Sequence, residues 1–411
     1  MSTYFDALET RTTEQRESAL ATRLAQQIAH AKSNTVYFAE SLKNVDAATI
    51  TSTAALAALP VVRKSDLIVL QKQQRPFGGL AAARWGQLGR VFSSPGPIYE
   101  PEGRGADYWR TARALFAAGF RAGDLVHNSF SYHMTPGAWI LEAGAQALGC
   151  TVFPAGVGQT EQQVAAMADL QPNGYVGTPS FLRILLEKAD ELGIKLPSLT
   201  KALVSGEAFL PPVRDALLAR GIAGYQAYAT AELGVIAYET EARQGLVVDE
   251  GVIVEIVRPG TGDPVAAGEV GEVVVTTFNP DYPLIRFGTG DLSAFLPGVS
   301  PCGRTNMRIK GWMGRADQTT KIKGMFVHPE QVAAVVKRHP EIARARLVVT
   351  NPDSSDLMTL NCEVAAPQGD LGKAIAETVR DVTKLRAEVA LVAVGSLPND
   401  GKVISDDRKY D

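Results

Sequence analysis

The sequence predicts a multi-layer α/β protein. A large N-terminal domain of mainly parallel sheet carries a small β subdomain, and a smaller α+β C-terminal domain follows. Three observations predict it. From Gly103 onward, short apolar runs alternate with amphipathic helical stretches, as in parallel strands connected by helices. Beyond Val235 the chain turns to β-branched, hairpin-like runs. The tail interleaves two helical patterns with strands, which makes an α+β unit of its own. We place the boundary between residues 1–316 and 317–411.

The elements follow in order. The first ninety residues read as helices: Ala19 to Ala31 has apolar residues at helical spacing, and "LPVVRKSDL" turns into another helix with Ser65 and Asp66 as caps. "GADYWRTARALFAAGF" is a helix stopped by Gly119, and "DLVHNSF" is a strand. "GAWILEAGAQALG", "TEQQVAAMADLQ", "TPSFLRILLEKADELG" and "PPVRDALLARG" are helices. They alternate with the strands "TVFPAG", "GYVG", "KALVSG" and "IAGYQAYA". "GVIVEIVRPGTGDPV" reads as a hairpin and "GEVVVTTF" as a strong strand. In the tail, "HPEQVAAVVKRH" and "LGKAIAETVRDVTKLR" are helices, with His328 and His339 as surface groups at the ends of the first.

Composition narrows the function. The 411 residues are 45% apolar and 21% charged with a net charge of −3, an ordinary globular balance with no general case for nucleic acid or an acidic membrane. Cys150, Cys302 and Cys362 lie far apart and form neither a disulfide framework nor a metal knuckle, so reduced thiols and no structural zinc are expected. The N-terminal stretch is charged and helical, unlike a signal peptide, and no apolar run approaches a membrane span. The expected location is the cytoplasm.

Ligands of parallel sheets gather at the carboxyl ends of strands. The loop within "VFSSPGPIYEPEG" and the turns "GVGQT", "GTPS", "SGEAF" and "YATAE" are all expected there and are polar or Gly-rich. "VFSSPGPIYEPEG" resembles a phosphate loop stripped of lysine and threonine. Ser93, Ser94 and Gly96 leave material for an anion nest, whereas the prolines supply no donors. Glu100 and Glu102 would repel a triphosphate unless they face away.

Four stretches in order, "YQAYATAELG", "PLIRFGTGDLS", "MGRADQTTKIKG" and "LPNDGKVISDDRK", resemble the adenylate-forming superfamily, and within it the phenylacetate–CoA ligase family. "GFRAGD", "GTPSFL", "SGEAF" and "SPCGRT" match in layout, so the resemblance spans essentially the whole chain. It implies a two-step reaction. A carboxylate attacks the α-phosphorus of ATP to give an acyl adenylate, and the thiol of coenzyme A then displaces AMP. ATP, Mg²⁺, coenzyme A and a small carboxylic acid are the implied partners, and a homodimer is admitted.

The resemblance also assigns residues. Asp291 holds the ribose hydroxyls with Arg315 as second contact, although Asp291 read alone is a turn aspartate ending its strand. Glu232 binds Mg²⁺, against the plainer reading of a helix-start glutamate. Tyr228 stacks on adenine and Gln226 meets its exocyclic amine, while Gly206, Glu207 and Ala208 form the floor, where small residues let backbone approach a flat ring. Lys402 reaches the α-phosphate, Asp317 is the hinge of a mobile C-terminal domain, and Gly324 moves to the pantetheine channel.

Departures accompany the match. Ala231 stands where the family has Ser or Thr, Ala229 replaces a glycine, and the altered loop implies slower adenylation. In "SFSYHMTPGAW", Phe130, Tyr132 and His133 offer an aromatic acyl pocket, with core packing the plainer reading for Met134 and Trp139. Two further readings stay open: transfer of the acyl group to a carrier-protein thiol, and a non-catalytic relative that binds nucleotide or a CoA ester.

Overall fold

The structure, a computed structural model, describes residues 3–316, 318, 320–322, 325–351, 356–366 and 369–408. The chain divides into two units. The first comprises residues 1–254, 275–289 and 296–312, and the second 255–274, 290–295 and 313–411.

In the first unit the strands Thr151–Pro154, Leu125–Asn128, Gly174–Gly177, Lys201–Val204 and Ala223–Thr230 lie side by side and parallel. The sheet continues antiparallel through Gly234–Glu239, Leu246–Val248 and Arg308–Ile309. Side chains alternate across a strand, and this alternation builds two cores. Val176 and Leu203 face Leu115, Phe120, Ile140 and Leu141, whereas Tyr175, Ala202 and Val204 face Val164, Leu182, Leu185 and Leu217. Helices therefore cover both faces, as the alternating pattern predicts. Each fully buried Leu or Ile contributes about 1.5–3 kcal/mol relative to exposure.

The N-terminal helix Thr13–Asn34 opens with a capping box between Thr12 and Gln15 and buries Leu24, Ile28 and Ala31 along one stripe. Just before it, buried Glu9 accepts from Arg304 Nε at 2.6 Å and from the Tyr238 hydroxyl at 2.8 Å. A charge removed from water needs such partners, so this pair fixes the start of the chain to the sheet. Strand Val62–Arg63 adds in parallel to Phe287–Gly288.

In the second unit, strands Glu388–Val392, Leu357–Val364, Ile342–Thr350 and Ile404–Asp406 form a sheet in that order. Helices Pro329–Arg338 and Leu371–Thr383 bury Val332, Val335, Ile375 and Val379 against Leu347, Val349, Leu360 and Ile404. The predicted hairpin after Val257 is present, with Arg258 N donating to Asp263 O at 2.8 Å and a Val257–Pro264 bridge. His328 and His339 flank the first helix as N-cap and C-cap.

Candidate active site

The turns "GVGQT", "GTPS", "SGEAF" and "YATAE" are found at carboxyl ends of the parallel strands, whereas the proline-bearing loop is not: it turns a separate two-stranded antiparallel hairpin. Thr178 caps helix Pro179–Glu191 directly after strand Gly174–Gly177. Gly206 follows strand Lys201–Val204 with φ of +84°, a left-handed conformation that glycine adopts without strain. A Cβ at Gly206 would lie 3.4 Å from the Phe130 ring, so the expected adenine floor and the expected acyl pocket meet. Glu207 and Ala208 are exposed, and Glu207 accepts from Ser180 N at 2.8 Å.

Strand Ala223–Thr230 carries Gln226 and Tyr228. Glu239 receives Gln226 N at 3.2 Å, Arg214 at 2.9 Å and Arg243 at 3.0 Å, which fixes the strand ahead of the site. The largely buried Tyr228 donates its hydroxyl to Thr289 Oγ1 at 3.2 Å, joining the "YATAE" and "FGTGD" stretches.

Glu232 starts no helix. It lies in the turn between strands Ala223–Thr230 and Gly234–Glu239, fully buried. Lys64 Nζ stands 2.8 Å from its Oε1, yet among the described residues neither carboxylate oxygen accepts a hydrogen bond. One oxygen of buried Glu100 and the buried Tyr282 hydroxyl also lack hydrogen-bond partners among the described residues. Unsatisfied buried polar atoms are rare and mark places where a ligand completes the network. Burial, reinforced by the charge of Glu232, pushes the Glu100 carboxyl up to about 8 against the opposing effects of Ser94 and Lys64.

The proline-rich loop is a hairpin of Arg90–Ser94 and Ile98–Glu102, with Ser94 paired to Ile98. Of its three turn residues only Gly96 has an N–H, and Gly96 is not left-handed, so the turn itself builds no nest of successive donors. Ser93 N donates to Met134 O at 2.9 Å, and the Ser94 hydroxyl donates to Glu100. Glu102 accepts from Trp109 Nε1 and Arg90 Nη1, both at 3.0 Å. Both acids are therefore buried and partnered, with Glu100 near Glu232.

In the pocket stretch, the Tyr132 hydroxyl is already engaged, accepting from Asn128 at 2.9 Å and donating to Glu142 at 2.6 Å. Its ring meets Trp139 edge-on at 5.2 Å. The His133 ring is exposed. Buried His127, which sequence reading passed over, bonds Gln163 at 2.8 Å and stacks on Phe153. Burial lowers its pKa, favouring the neutral ring.

The second unit holds the other expected residues. Asp291 lies within strand Phe287–Ser293 rather than at its end, 2.9 Å from Arg315 Nη1. Lys402 is exposed, follows Gly401 at φ +70°, and borders a cavity of about 660 Å³ that Arg258, Lys337 and Arg344 also line. Asp317 and Gly324 lie outside the described residues. Gln318 is the residue that sequence reading missed here. Its amide donates to Gly401 O at 3.1 Å, and its oxygen accepts from Val403 N and, at 2.8 Å, from Ile404 N. It clasps the backbone on both sides of Lys402. Lys64 escaped notice for a similar reason, since the partners of both residues are distant in sequence.

Comparisons with known proteins complete the description. The AMP-binding enzyme family matches residues 109–279. The phenylacetate-coenzyme A ligase of Aromatoleum evansii is 32% identical over 369 residues, covering 85% of this chain and 82% of that one. That of Thermus thermophilus is 33% identical over 330 residues, covering 76% and 73%. Among solved structures, an open conformation of 2-hydroxyisobutyryl-CoA ligase in complex with 2-HIB-AMP and CoA matches with a TM-score of 0.74 at 27% identity, over 97% of this chain and 92% of that one.

Proposed function

Because this chain belongs to the phenylacetate–coenzyme A ligase family, we propose that it activates a small aromatic carboxylic acid as its adenylate and transfers it to coenzyme A. It is an AMP-forming acid–CoA ligase. The observation that carries the aromatic reading is the Phe130 ring at Gly206, which sets an apolar wall beside the backbone expected to support adenine.

The reaction forms a bond from a carboxylate oxygen to the α-phosphorus of ATP and releases pyrophosphate. The coenzyme A thiol then attacks the acyl carbon and AMP leaves. In this reading Tyr228, Gln226 and the Gly206–Ala208 turn hold adenine, while Asp291 and Arg315 hold ribose. Lys402 neutralises charge at the α-phosphate, where a positioned cation acts on charge developing in the transition state. Mg²⁺ would shield the phosphates, and Glu232, a buried carboxylate with no hydrogen-bond donor on either oxygen, fits a hard cation. Residues 317–411 are the mobile part, turning about Asp317 to bring Gly324 into play for thioester formation. Use of ATP and coenzyme A goes with a cytoplasmic location.

The test supplies ATP, Mg²⁺ and coenzyme A with aromatic acids and, separately, branched 2-hydroxy acids, and follows pyrophosphate and thioester. Thioester formed from an aromatic acid is expected. Turnover confined to aliphatic acids would overturn the aromatic reading. Adenylation without thioester would favour a carrier-protein acceptor, and absence of both a non-catalytic binder.

A further inference from the structure

We propose that Lys64 binds the β- and γ-phosphates of ATP, taking the place of the lysine that the Ser93–Gly96 turn lacks. The proposal rests on the ATP-dependent reading above and adds a residue to it.

Four observations converge. The turn between Ser94 and Ile98 holds no cation and a single N–H. A triphosphate therefore needs positive charge from another element. Lys64 comes from such an element, directly after strand Val62–Arg63, whose Val62 N bonds Arg286 O at 3.1 Å. That strand runs parallel to Phe287–Gly288, beside the Thr289 that receives the Tyr228 hydroxyl. The base of Lys64 is thus fixed to the same strand as the expected adenine contact.

The ammonium itself is poised between two environments. Its carboxylate partner Glu232 is wholly buried, whereas the Lys64 side chain is 28% exposed. The head therefore sits at the mouth of the carboxylate cluster rather than inside it. Among the described residues both Glu232 oxygens, one Glu100 oxygen and the Tyr282 hydroxyl lack hydrogen-bond partners, so Lys64 alone leaves the cluster's hydrogen bonding incomplete. A buried carboxylate strongly resists losing a counter-charge such as Lys64. A triphosphate arrives with a metal cation, which can take over that role at Glu232 while Lys64 turns to the phosphate oxygens. An ammonium suits this task, being a compact charge on a flexible stem.

A purely structural ion pair would anchor Val62–Asp66 and affect all ligands alike. A phosphate contact discriminates between nucleotides. The experiment measures ATP and AMP affinity by calorimetry in the presence of Mg²⁺ for the wild type, Lys64→Met and Lys64→Arg. For Lys64→Met we expect ATP affinity to fall by about tenfold to a hundredfold and AMP affinity to hold within about twofold. Thioester formation from preformed acyl adenylate should stay at the wild-type rate. Equal losses for ATP and AMP, or none, would overturn the proposal. If Lys64→Met does not fold, Lys64→Arg, which keeps the pair with Glu232, decides by the same criterion: a changed ratio of ATP to AMP affinity supports the contact, and an unchanged ratio removes it. Failure of the ATP-dependent reading on which this rests is separate, because the wild type itself would then show no ATP binding.

Discussion

Asp291 and Arg315 are joined twice: their side chains meet at 2.9 Å between Oδ1 and Nη1, and their backbones form an isolated antiparallel bridge. The carboxylate is largely buried while half of the Arg315 side chain is exposed, so the pair presents its polar edge outward. Asp291→Ala should weaken AMP and ATP binding together, by about 1.5–3 kcal/mol per charge-assisted hydrogen bond lost. Calorimetry with AMP checks this, and undiminished affinity would take Asp291 out of the ribose site.

Lys402→Ala should suppress acyl-adenylate formation while sparing thioester formation from preformed adenylate. The two half-reactions are measured separately by pyrophosphate release and by thioester yield. Equal loss of both would contradict a role confined to adenylation.

Gln318→Ala should resemble a weakened Lys402→Ala. It removes three hydrogen bonds flanking Lys402. Misplacement of a catalytic group by about an ångström costs on the order of a hundredfold, so adenylation should fall by about tenfold to a hundredfold and transfer to coenzyme A should not. In a Lys402→Ala background the substitution should have no further effect on adenylation. A simple loss of melting temperature with both half-reactions unchanged would assign Gln318 to stability alone.

Glu100 should make the enzyme less stable as pH rises. Its carboxyl is raised from 4.5 to about 8, so the folded state retains a proton that the unfolded chain releases above 4.5. Stability therefore declines between these two values as pH increases. In Glu100→Gln, which still accepts from Ser94, the melting temperature should fall less between pH 5 and 8 than in the wild type. Parallel melting profiles would show that Glu100 ionises normally.

Much of this arrangement is legible locally. Alternating strands and helices announce the parallel sheet, and the turns at its carboxyl ends carry their own glycines and polar caps, as at Thr178 and Gly206. Charge is the poorer guide. Sequence leaves open which way Glu100 and Glu102 of "YEPEG" face, and they are buried, with Ser94, Trp109 and Arg90 as partners that no local pattern reveals. Lys64 meets Glu232 across a long stretch of chain, and Gln318 reaches the Gly401–Ile404 backbone in the same way. Such pairings depend on tertiary packing, whereas a periodic helix depends on its own residues. His133, expected beside the acyl pocket from its aromatic neighbourhood, is exposed.

The proline hairpin has one more implication. Gln71 bonds both the N–H and the C=O of Tyr99, and the acids on its inner face are tied down. A glycine-rich flap must surrender conformational freedom each time it folds over a nucleotide, and regains that freedom when pyrophosphate departs. A stapled ribbon has little freedom to surrender or regain. Grip on the leaving group then depends on individual side chains, and the enzyme should respond to altered polyphosphate tails as a fixed mould does, admitting those that match and rejecting those that require the rim to bend.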